Sequence, residues 1–93
     1  MNKFFNTIGI PQDLLIIELE KVEKQQDKVI TIFEVSMMLG LTPTEVFKAL
    51  GEQYPITSIR RAFTNLTEAG KLRKTIKMRK GMYGKMNYVW ELR

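Results

Sequence analysis

The segment PITSIRRAFTNLTEAGKL, residues 55–72, decides the architecture. Pro55 restricts Tyr54 to extended conformations and so makes a turn. Thr57 or Ser58 then caps a helix running to about Ala69, and Gly70 closes it at the C-terminal end. Ile59, Ala62, Phe63 and Leu66 recur at helical spacing and form its buried side. Ser58, Arg61 and Asn65 fall on the opposite side, with Arg60, Thr64 and Glu68 at the edges. Beyond Gly70 the pattern changes.

Residues 72–78 and 86–92 read as two strands, Val89 and Trp90 favouring the second. Between them lie Gly81 and Gly84, which suit a turn. Upstream, Thr42-Pro43-Thr44-Glu45 marks a helix start over 43–51: Thr42 caps, Pro43 takes the first position and Glu45 completes a capping box. Val46, Phe47 and Leu50 supply its buried face, and Gly51 stops it. Further back, Leu15, Leu19, Val22, Gln26, Val29 and Phe33 alternate spacings of four and three. That period predicts a helix over about 12–38, compatible with a break near Gln25 to Lys28. A short strand at 29–33, where β-branched residues cluster, is the competing reading. The stripe also fits an incomplete heptad seam, so a homodimer through 15–33 stands beside packing within the domain. Residues 1–10, with Phe4, Phe5, Ile8 and Ile10, read as an arm.

Helix, helix, helix and then a basic hairpin define an α+β, mostly helical fold. The order is that of a winged helix-turn-helix over 11–93, with a C-terminal β-hairpin wing and an extended N-terminal helical segment. At 93 residues one domain is expected. There is no cysteine and no histidine, which removes thiolate nucleophiles, imidazole bases and most zinc sites. No enzyme, cofactor or metal is expected. Glu18, Glu20 and Glu34 interrupt the apolar runs, and no secretory signal is visible, so a cytoplasmic protein without membrane association is expected.

Charge is distributed unevenly. Residues 1–56 carry five basic and eight acidic side chains, net −3, whereas 57–93 carry ten against two, net +8. That asymmetry is the footprint of a polyanionic partner. On the helix at 57–69, Arg61 can read a guanine edge and Asn65 an adenine, Ser58 and Arg60 near its start suit phosphates, and Thr57 and Thr64 complete the candidate DNA-binding set. The bland alternative pairs Arg61 with Glu68 or Glu91 and leaves Asn65 in water. In the wing, Lys71, Arg73, Lys74, Lys77, Arg79, Lys80 and Lys85 form a basic set, with Tyr83 at the tip.

The run from Pro55 to Leu72, with Lys74-Thr75, Gly81-Met82-Tyr83-Gly84-Lys85 and Asn87-Tyr88-Val89-Trp90-Glu91-Leu92, resembles a family of small winged-helix proteins from bacteriophages and mobile elements of gut bacteria. Thr42 to Val46 and Phe4-Phe5-Asn6-Thr7 extend the resemblance over most of the chain. It implies a DNA-binding fold with a first helix over Val29 to Ser36. The expected function is double-stranded DNA binding by a small transcriptional regulator, the helix in the major groove and the wing, 71–87, on the backbone. A protein-interaction winged-helix module and a single-stranded nucleic acid or RNA binder are the alternatives.

Overall fold

Among the described residues of this α+β chain four helices lead into an antiparallel hairpin: α1 Gln12–Glu20, α2 Gln25–Val35, α3 Pro43–Ala49, α4 Ile56–Glu68, β1 Leu72–Lys80 and β2 Met86–Leu92. The computed structural model describes residues 12–36, 40–81 and 84–93, and only the backbone of 12–15. The expected arm at 1–10 and Tyr83 lie outside the described residues. No helix among those residues is long and apolar enough to cross a membrane.

The single helix expected over 12–38 is instead two, separated at 21–24. The break falls ahead of Gln25, earlier than its period suggested. The amides of Lys21 and Val22 reach back three residues, to Glu18 and Leu19, in the tightened final turn of α1. The heptad-like period survives the break because α1 and α2 pack on each other, so apolar residues recur on both. Residues 29–33 are helical, with Val29, Ile32 and Phe33 buried, and α2 ends at Val35 rather than 38. Two stripe positions, Val29 and Phe33, are thereby enclosed in the chain's own core.

At α3 the expected capping box is present. Thr42 Oγ1 accepts from the Glu45 amide at 3.2 Å, and Glu45 Oε1 accepts from the Thr42 amide at 2.9 Å. The start of α4 differs from expectation. Pro55 is its N-cap residue, and its carbonyl accepts from Ser58 and Ile59 amides, so Thr57 and Ser58 sit in the first turn rather than capping it. The other end is a complete Schellman motif: Gly70 donates to Thr67 O and Lys71 to Leu66 O, with Gly70 at φ +78°.

Ile59, Ala62, Phe63 and Leu66 of α4 enter a core shared with Val29, Ile32, Leu41, Val46 and Leu72. β1 and β2 pair from Leu72↔Leu92 to Lys74↔Trp90, then from Met78↔Tyr88 to Lys80↔Met86. The register slips by two residues between these stretches, so Thr75, Ile76 and Lys77 bulge opposite Val89. Thr75 fills the interrupted ladder, donating Oγ1 to Val89 O at 2.7 Å and accepting from the Lys77 amide at 3.1 Å. Leu41 adds a third, one-residue rung by exchanging both backbone hydrogen bonds with Trp90.

Gly40 carries the chain over β2 at φ +88°, where a Cβ would lie 2.5 Å from Val89 Cγ1 and 2.7 Å from Trp90 O. Gly70 shares the positive φ, but a Cβ there would meet nothing within 4 Å. Gly40→Ala is therefore expected to cost about 2–4 kcal/mol, strain plus clash, and Gly70→Ala about 1–2 kcal/mol, strain alone. Urea unfolding of the two variants checks the difference; equal losses would contradict the close approach.

Candidate nucleic-acid interface

Burying Ile59, Ala62, Phe63 and Leu66 turns the opposite face of α4 outward. Thr57, Arg60, Arg61, Thr64 and Asn65 are exposed there, and Ser58 is half-buried. Thr64 Oγ1 donates to the Arg60 carbonyl at 3.2 Å, which holds it against its own helix. Among the described residues neither Arg60 nor Arg61 forms an ion pair, and Glu91, one suggested partner of Arg61, is engaged elsewhere.

The hairpin cations, expected as a wing, do not form one uniform set. Arg73 meets Glu91 at 2.7 Å and Lys77 meets the same carboxylate at 3.6 Å. Arg79 binds both oxygens of Glu45 through Nη1, at 2.6 and 2.7 Å. Glu45 thus caps α3 and anchors the hairpin at once, a link that 34 residues of separation hide from any local pattern. Lys71, Lys80 and Lys85 are exposed without an ion pair among the described residues. Lys74 lies over the rings of Tyr88, at 4.3 Å, and Trp90, at 5.5 Å.

The pairing register explains this division. Arg73↔Glu91 and Arg79↔Asn87 alternate with Lys74↔Trp90 and Met78↔Tyr88, so the acid-bound arginines and Lys74 occupy opposite faces of the hairpin. The Lys74 face turns toward α4. Between them runs a groove of about 380 Å³ bordered by Arg60, Thr64, Lys74, Met78, Met86 and Tyr88, with Phe63 and Trp90 at its floor. No acidic side chain lines it among the described residues. Met78, Met86 and Tyr88 were not singled out by sequence reasoning, although the period-two spacing of Met86, Tyr88 and Trp90 signals a shared strand face.

Helix α4 and the hairpin are locked together through Trp90. Its ring meets Phe63 edge-on at 5.2 Å between centroids. Its Nε1 donates to Thr67 Oγ1 at 3.1 Å, and that hydroxyl donates to the Phe63 carbonyl at 2.7 Å. Among the described residues no group of carboxylates could hold a metal ion. No protein-family model, curated protein or solved structure matches the chain.

Trp90 is the only tryptophan, so its fluorescence reports the lock directly. Thr67→Val keeps the shape but leaves the indole N–H without its partner. A loss of about 1–3 kcal/mol with a shifted emission maximum is expected; unchanged stability and emission would contradict the relay.

The Arg73 hydrogen bond, aided by the charges of Lys77 and Arg73 and opposed by burial, holds the Glu91 carboxyl below its ordinary range. A carboxylate depressed in the folded state stabilises above the unfolded value, and that stabilisation is lost as pH falls through the folded one. Wild type should therefore exceed Glu91→Gln in stability at neutral pH and lose that advantage in acid below the carboxylate range. An equal difference at both pH values, measured by urea unfolding, would contradict the pairing.

Proposed function

We propose that this chain is a winged-helix protein that binds double-stranded DNA, α4 entering the major groove and the wing lying along the adjacent backbone. The observation that carries this reading is the sorting of charge. Among the described residues Arg60 and Arg61 on α4 and Lys74 on the facing strand pair with no carboxylate, on surfaces that meet at one groove, while Arg73, Lys77 and Arg79 are tied to Glu91 and Glu45. A groove whose described lining holds no acid, with a helix along one side, suits a duplex, whose backbone charge dominates affinity and whose major groove admits a helix.

Division of labour follows from position. Arg61 and Asn65, one turn apart and exposed, are placed to meet base edges, and Arg60, Lys74 and Lys80 to meet phosphates. The wing's contribution narrows from seven cations to those without a carboxylate partner. The resemblance to phage and mobile-element proteins implies the DNA-binding fold, and a small transcriptional regulator is the biological role we propose to accompany it.

Titration of labelled duplex DNA at several salt concentrations tests it. Lys74→Ala should lower the slope of log K against log salt by about 0.9, the share of one phosphate, whereas Arg73→Ala should change it by much less. Arg61→Ala should cost about 1–3 kcal/mol on a preferred sequence and relax that preference. Absence of duplex binding at low salt would overturn the proposal.

A further inference from the structure

We infer that the groove between α4 and the wing docks an acidic segment of another protein, one that presents apolar anchor side chains between its carboxylates. Phosphate recognition accounts for Arg60 and Lys74 but leaves the groove's apolar lining without a role. Met78 is 44% exposed, Met86 54% and Tyr88 42%, and the strand register gathers all three on one face of the hairpin. Apolar side chains left this open beside one another mark a surface that something covers. Hydrated phosphates gain little by covering thioethers.

The lining states what does. Two methionines give an adaptable apolar wall. Tyr88, Trp90 and Arg60 belong to the residue types that dominate protein-interface energetics. Lys74, held over the rings of Tyr88 and Trp90, places an ammonium group within this apolar surface. With Arg60 opposite and no acid in the described lining, the charge complement is a carboxylate-bearing chain. A volume of about 380 Å³ accepts anchor side chains rather than a whole helix, and the exposure of Met78 and Met86 leaves the groove too open to enclose a small molecule.

Arg60 and Lys74 serve this partner and the duplex alike, so the acidic segment displaces DNA. That competition rests on the DNA-binding reading, whereas docking does not. The test is selection of a random dodecapeptide library, displayed on phage, against the full chain. Recovered peptides should combine Asp or Glu with Leu, Phe or Trp. Synthesised, they should lose about tenfold or more in affinity for Met78→Ser/Met86→Ser, whose duplex binding stays unchanged, and should release labelled duplex from wild type. Failure to recover peptides, recovery of sequences without acids, or equal binding to the double variant would overturn the inference. So would a double variant that loses duplex binding along with the peptide, since the groove would then belong to DNA. Peptide capture by a chain that binds no duplex would uphold docking and remove the DNA reading alone.

Discussion

Phe63 stands between Phe33 of α2, at 5.6 Å, and Trp90 of β2, at 5.2 Å, and the relation of helices to hairpin depends on that placement. Tilted and edge-on pairs of this kind contribute about 0.5–1.5 kcal/mol each beyond the area they bury. Their larger effect is geometric. Phe63 orients the buried side of α4, which sets where Arg60, Arg61 and Asn65 point. Trp90 carries the orientation into the sheet, through its hydrogen bond to Thr67 and its backbone pairing with Leu41. Since Leu41 directly precedes the Thr42 cap, the start of α3 is tied to the same strand.

A second set of constraints is electrostatic and decides which surface remains available to a partner. Among the described residues Glu91 and Glu45 are the acids that hold hairpin cations, and each does so on structural terms: Glu91 opposite Arg73 in the register, Glu45 from the first turn of α3. Arg79 and Glu45 reach across separate elements, so this pair braces the hairpin against α3 as the Trp90–Phe63 contact braces it against α4. The cations left outside these pairs give the groove its charge. The same arrangement that steadies the hairpin therefore selects the face it offers.

Much of this was legible in the residues. The apolar spacing from Ile59 to Leu66 is a local period, and Thr42-Pro43-Thr44-Glu45 is a local cap; both are realised because neighbours in sequence determine them. Gly70 likewise signals its left-handed turn. The break between α1 and α2 was misplaced because Gln26 continued a period that two packed helices share. Thr57 and Ser58 looked like caps because the carbonyl of Pro55, which does begin α4, has no side-chain signature. The basic wing looked uniform because Glu45 and Arg79 are far apart in sequence and because the bulge at Thr75–Lys77 alters which residues face one another. Pairwise meetings across elements escape periodicity, and the division of the wing into a bound face and an open one depends on such meetings.

The central claim is that α4 and the hairpin lysines Lys74 and Lys80 act together toward a duplex. Amide and indole chemical shifts of the isotopically labelled chain, followed while duplex DNA is added, test this most directly. The account predicts the largest changes along Thr57 to Asn65 and at Lys74 and Lys80, with small changes at Arg73, Glu91 and along α1. Changes centred on Arg73 and Glu91, or confined to α1 and α2, would contradict it.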